Sequence, residues 1–126
     1  MNALHMAQTA YSAPNQAHMR SPRATEYAAF TRITARLKEA AATDPVDFPA
    51  LAAALDQNRK LWRVLAMDVA DPANGLPDTL RARLFYLFEF TDQHTAKVLA
   101  RTADAAPLIE VNTAIMRGLS GAEIPR

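Results

Sequence analysis

A chain of 126 residues, half of them hydrophobic and 21% charged, has the length of one globular domain and is too apolar for wholesale disorder. Its 14 Lys and Arg stand against 13 Asp and Glu, a balance that argues against strong attraction to polyphosphate or anionic lipid. No cysteine is present, which excludes a disulfide framework and a thiolate metal site and fits a reducing compartment.

Residues 1–20 mix Met, Gln, Asn and His with Tyr11 and Pro14, and read as a short helix or mobile arm ahead of the main body. His5, Gln8 and Thr9 break any apolar run there, so a signal peptide is not expected. No later stretch reaches the roughly 18 apolar residues of a spanning helix. The expectation is a cytoplasmic protein without membrane insertion.

From Ser21 onward, proline marks where helices begin. Ser21-Pro22 resembles an N-cap followed by proline at the first helical position, where its missing N–H does no harm. Asp47-Phe48-Pro49, Leu76-Pro77-Asp78 and Ala106-Pro107 repeat the arrangement. The spacing predicts helices over roughly 22–42, 48–70, 77–102 and 106–118. Their buried stripes run through Tyr27, Phe30, Thr34, Leu37 and Ala41 in the first, and Leu51, Leu55, Asn58, Trp62, Leu65 and Val69 in the second. Leu80, Leu84, Leu87, Thr91, His94 and Val98 follow in the third, then Leu108, Asn112, Ile115 and Leu119 in the fourth.

Thr43-Asp44-Pro45, the run from Asp71 to Gly75, and Thr102-Ala103-Asp104 are short turns, and Gly118 suits a left-handed C-terminal cap. Short links between long helices imply antiparallel neighbours. The expected fold is all-α: a small bundle of four main helices over 21–120, with an N-terminal arm or short helix over 1–20 and a tail at 121–126.

Catalytic chemistry finds no support in the residues. His94 has Phe90, Thr91, Lys97 and Val98 at helical spacing, which cannot complete a metal site, so a capping or half-buried histidine is expected. No zinc-protease, nucleophile-elbow or phosphate-loop motif occurs. Glu89 and Asp92 share a helical face but have nothing to split their acidities, and Asp56 with Lys60 is an ordinary i,i+4 pair. No catalytic, cofactor-binding or metal residue is assigned, and no cofactor is expected. Arg32 with Arg36, and Arg59 with Arg63, form helical pairs that an RNA could use. Interleaved acids and the lack of an aromatic ladder make nucleic acid an unexpected direct partner.

Leu84-Phe85-Tyr86-Leu87-Phe88-Glu89-Phe90 carries large apolar groups at six positions of seven, where a one-sided helix needs about three. Either this helix is central and buried on several sides, or it offers a groove or patch to a partner. Trp62 reads as a core anchor. Asn58 and Asn112 interrupt apolar stripes, and each either fixes helix register or binds a backbone group, the chain's own or a guest's.

The same segments resemble the flagellar biosynthesis regulator FlaF family of alphaproteobacteria. The resemblance rests on Ala10-Tyr11-Ser12, Ser21-Pro22-Arg23-Ala24-Thr25-Glu26-Tyr27, Phe48-Pro49-Ala50-Leu51 and Asn58-Arg59-Lys60-Leu61-Trp62. It continues through Asp68-Val69-Ala70-Asp71-Pro72, Leu80-Arg81-Ala82-Arg83, Phe90-Thr91-Asp92-Gln93-His94 and the run from Ile109 to Leu119. It implies a non-enzymatic regulator of flagellin production and secretion that binds flagellin as a chaperone would, together with a second factor, FlbT. The alternative is a post-transcriptional regulator acting through RNA or through FlbT alone. The residues proposed to meet the partner are Met6, Tyr11, Leu84, Phe85, Phe88, Asn58 and Asn112. In this reading a flagellin helix docks near Phe85 and Phe88, displacing Tyr11 or Met6 from the same groove.

Overall fold

The structure, a computed structural model, describes residues 22–119; for 22–26 and 119 it describes the backbone only. The arm or short helix expected at 1–20, with Met6 and Tyr11, lies outside the described residues, as do the Ser21 cap and the tail. The described chain is all-α, with helices α1 (Pro22–Ala42), α2 (Phe48–Ala70), α3 (Asp78–Leu99) and α4 (Ala106–Leu119). A single 3-10 turn, Pro72–Asn74, separates α2 from α3.

Local chemistry sets these boundaries. Asp47 caps α2 by accepting the Ala50 N–H at 3.2 Å, and Pro49 sits harmlessly in the first turn. Asp71 repeats the move for the 3-10 turn, accepting the Ala73 N–H at 2.9 Å, and Gly75 leaves that turn at a φ of 91°. A residue with a Cβ would meet a steric penalty at that angle. Pro77 stands at the cap position of α3 and makes no side-chain cap bond.

Two boundaries differ from the sequence expectation. The third helix ends at Leu99, not 102, because Arg101 turns left-handed at a φ of 63°. The Thr102 N–H then reaches the Lys97 carbonyl at 2.9 Å and the Arg101 N–H the Val98 carbonyl at 2.9 Å, the paired closure that a glycine usually supplies. The Arg101 guanidinium lies 4.2 Å from the centre of the Phe48 ring, a cation–π contact that offsets part of the cost of the left-handed backbone. Gly118, expected as a cap, is instead a buried residue inside α4, which runs on to Leu119. Ile115, one turn earlier, is buried in the core, and the helix continues across Gly118 at a propensity cost of roughly 1 kcal/mol relative to alanine.

α2 is the middle element, packed on α1 along one side and on α3 along another, while α4 lies chiefly against α1 and more lightly against α3. The third helix is therefore not the central one. The α2 stripe is buried as expected at all six of its positions. In α1, Ile33 and Ala40 join the buried stripe and Tyr27 is left exposed.

The core is divided in two. Phe30, Trp62, Leu65, Val69, Leu76, Leu84 and Ile115 form one cluster, and Leu37, Leu51, Leu55, Val98 and Leu108 lead the other. Along each helix a buried polar residue falls between the two: Thr34 in α1, Asn58 in α2, Thr91 in α3 and Asn112 in α4. A polar layer thus crosses the bundle at mid-height. Among the described residues, no helix is long and apolar enough to cross a membrane.

Candidate functional site

The polar layer is organised by Asn112. Its Oδ1 accepts the Trp62 indole N–H at 2.9 Å. Its Nδ2 donates to Asn58 Oδ1 at 2.8 Å and to Thr34 Oγ1 at 3.0 Å. One side chain of α4 therefore ties α1 and α2 together, and Asn112 and Asn58 are both fully buried. Of the two roles left open for these asparagines, register fixing is what their hydrogen bonds perform. A one-turn slide of α4 would leave three polar groups unpaired in the interior, each costing about 1–3 kcal/mol. Asn58 Nδ2 and Thr91 Oγ1 are buried without a hydrogen-bond partner among the described residues.

The aromatic run on α3 divides by helical geometry. Leu84 is buried in the core, and Phe88 packs half-buried against the Trp62 cluster. Phe90 joins the second cluster and stacks on His94, with ring centroids 5.4 Å apart. Phe85 and Tyr86 face outward, 40% and 65% exposed. The Phe85 and Phe88 rings touch at 5.6 Å between centroids, so the exposed ring rests on the half-buried one.

The C-terminal turns of α2 and the first half of α3, with Phe85 and Tyr86, line an open, shallow hollow of about 400 Å³. Val69, Ala70 and Ala82 line it together with three charged residues, Asp78, Arg81 and Glu89. Small residues on both helices leave the space; the large aromatics flank it. Arg81 fixes the shape from within: its Nε donates to the Val69 carbonyl at 2.8 Å and its Nη2 to the Asp71 carbonyl at 3.3 Å. It thereby satisfies the Val69 carbonyl, which falls in the last turn of α2, and adds a second donor to the Asp71 carbonyl, which already accepts the Asn74 N–H at 2.9 Å. Its remaining nitrogen meets Asp78 at 3.4 Å.

Of the residues expected to meet a partner, the structure puts Phe85 at this hollow and Phe88 directly behind it. Leu84, Asn58 and Asn112 belong to the interior. Tyr86, Val69, Ala70 and Ala82 line the hollow without having been singled out. Tyr86 was legible as one of the surplus aromatics of α3, but the alanines carry no signal of their own.

The other sequence candidates have ordinary roles. His94 Nε2 lies 2.8 Å from the Asp104 carbonyl and ties α3 to the loop before α4. Arg59 Nε is 3.3 Å from Asp92 Oδ1 across the α2–α3 seam, close enough for an ion pair although the angle is not that of a hydrogen bond. Arg36 donates to Gln57 Oε1 at 2.9 Å between α1 and α2. Arg36 and Arg59 thus each bridge a seam of the bundle, while Arg32 and Arg63 are exposed. Lys60 meets Asp56 at 3.1 Å as its spacing predicts, an exposed pair worth little. No group of three or more His, Cys, Asp or Glu among the described residues is arranged to hold a metal ion.

Fold and surface together define a small all-helical bundle with a buried polar clasp and an aromatic-flanked hollow. The chain belongs to the flagellar protein FlaF family, whose model it matches over residues 7–119. It is accordingly a flagella-related protein, and the family is one of flagellar proteins, not of known enzymes. No curated protein and no solved structure matches the chain.

Proposed function

We propose that this protein binds flagellin in the cytoplasm and acts as a chaperone-like factor in its production and secretion, working alongside FlbT. Membership of the FlaF family supports the flagellar setting. The observation that carries the reading is the exposed pair Phe85 and Tyr86 at an open hollow between α2 and α3, lined by small apolar residues and by Asp78, Arg81 and Glu89.

An amphipathic helix of an unassembled flagellin has an apolar face with nothing to cover it. A groove with small residues on its floor and aromatics on its rim receives such a face in the manner of helix-in-groove recognition. Burying the exposed parts of Phe85 and Tyr86 would contribute roughly 1–2 kcal/mol each. Aromatics in such positions often dominate binding. The Arg81 contacts hold the α2–α3 corner in place before the guest arrives, which reduces the ordering cost of binding.

The test is titration of purified flagellin into the full chain and into Phe85→Glu, with circular dichroism confirming that the variant is folded. Weakening by tenfold or more is expected. Unchanged affinity in the folded variant would move the binding surface elsewhere. A protein that captures FlbT but has no affinity for flagellin would defeat the proposal itself.

A further inference from the structure

A second apolar face lies on the other side of α2, against α1. Val64 and Met67 project from it, 65% and 70% exposed, although both are large aliphatic side chains. Two hollows of about 350 and 300 Å³ flank Val64, and both are lined by Leu61 and Val64. Asp68 and Asp71 stand at one of them; Lys60 and Gln57 stand at the other.

The order of these residues along α2 is symmetric in chemistry about Val64. Three positions away lie Leu61 and Met67, both apolar. Four positions away lie Lys60 and Asp68, opposite in charge. When two identical helices pack antiparallel across a two-fold axis, each residue meets the one equally far on the other side of the axis. With Val64 on the axis, Leu61 meets Met67 and Lys60 meets Asp68, each twice. The hollow beside Leu61 and Ile33 then receives the partner's Met67 side chain.

We propose that this face is a homodimer interface, with α2 packed antiparallel on α2 of a second copy and Val64 on the two-fold axis. Charge complementarity selects a second copy over an unrelated helix, because Lys60, which within the chain meets only the exposed Asp56, and Asp68 lie on this one face and would pair twice across the axis. The proposal does not depend on flagellin binding, since the Phe85 hollow lies in the α2–α3 seam. A standard interface buries about 800 Å² on each partner and such interfaces range from about micromolar to picomolar in affinity, so dimers should form by concentrations on the order of micromolar.

The absence of cysteine makes the geometry directly testable. Packed helices lie 8–10 Å apart with Cα atoms about 2.3 Å off each axis, which brings facing Cα atoms to about 4–5 Å, within disulfide reach. Under mild oxidation the full chain carrying Val64→Cys should form a covalent dimer at least tenfold faster than one carrying Arg63→Cys. Light scattering across a dilution series should find the unmodified chain dimeric at high concentration. Lys60→Asp should weaken the dimer by tenfold or more, and Lys60→Asp with Asp68→Lys should recover most of that loss. A chain that stays monomeric at 100 µM (about a hundredfold above the expected range) overturns the proposal, as does equal crosslinking at 63 and 64. A double variant no better than Lys60→Asp overturns the register, whereas its recovery supports it.

Discussion

The indole N–H of Trp62 donates to Asn112 Oδ1 at 2.9 Å, and this bond joins α2 to α4 at the level where the two apolar clusters meet. The same carboxamide spends its two N–H groups on Asn58 and Thr34, so no hydrogen-bonding group of Asn112 is shared with solvent. Asn112→Leu should therefore destabilise the protein by about 2–4 kcal/mol, leaving Trp62 Nε1 and Asn58 Oδ1 buried and unpaired. Urea unfolding followed by far-ultraviolet circular dichroism measures it. A loss below 1 kcal/mol would mean that the layer is dispensable to the fold.

Arg81 offers a second test of how the corner beside the hollow is held. Its guanidinium donates to the carbonyls of Val69 and Asp71, and only its outer nitrogen meets the exposed Asp78. Arg81→Lys keeps the charge but loses the fork that reaches two carbonyls at once. Both Arg81→Lys and Arg81→Ala should cost about 1–2 kcal/mol, whereas Asp78→Ala should cost less than about 1 kcal/mol, as expected of an exposed pair. If Asp78→Ala proved as damaging as Arg81→Ala, the ion pair and not the carbonyl cap would be the working contact.

How much of this was readable beforehand follows from the kind of information each feature uses. The four helices and the full α2 stripe were legible because burial on one side of a helix imposes spacing that the sequence must carry. The stop at Leu99 was not, because a left-handed Arg101 has no compositional mark and depends on Phe48, more than 50 positions earlier, for its cation–π contact. Gly118 misled for the opposite reason: its usual role at helix ends outweighed the apolar spacing that continues through it. Asn58 and Asn112 stood out as polar interruptions, but their bonding to one another joins residues 54 positions apart and needed three dimensions. Val64 and Met67 lie off the buried α2 stripe, and only their exposure distinguishes them from ordinary surface positions.

Phe85 and Phe88 occupy neighbouring turns of α3, yet they should respond differently to substitution. Phe88 packs against the Trp62 cluster, so Phe88→Ser should cost about 3–4 kcal/mol of stability. Phe85 is 40% exposed and rests on Phe88 from outside, so Phe85→Ser should cost about 1 kcal/mol or less. Thermal unfolding of both variants decides the matter. Equal losses would place Phe85 within the core and leave the hollow without its aromatic rim.

Salt separates apolar capture of flagellin from contact with RNA. Arg32 and Arg63 are exposed, whereas Arg36 meets Gln57 and Arg59 meets Asp92, so the arginines present no continuous strip of unengaged cations. Binding to phosphates would release counterions and lose affinity steeply, by about tenfold or more between 50 and 200 mM salt for even a few contacts. Burial of an apolar helix face against Phe85 and Tyr86 involves no such release, and excluded salts strengthen it slightly. The affinity for flagellin is therefore expected to change by less than about threefold over that range, with no measurable affinity for flagellin messenger RNA at the upper end. Titrations at both salt concentrations with each ligand make the comparison. A steep fall for flagellin would shift the interface from the aromatic hollow to the charged faces of α1 and α2.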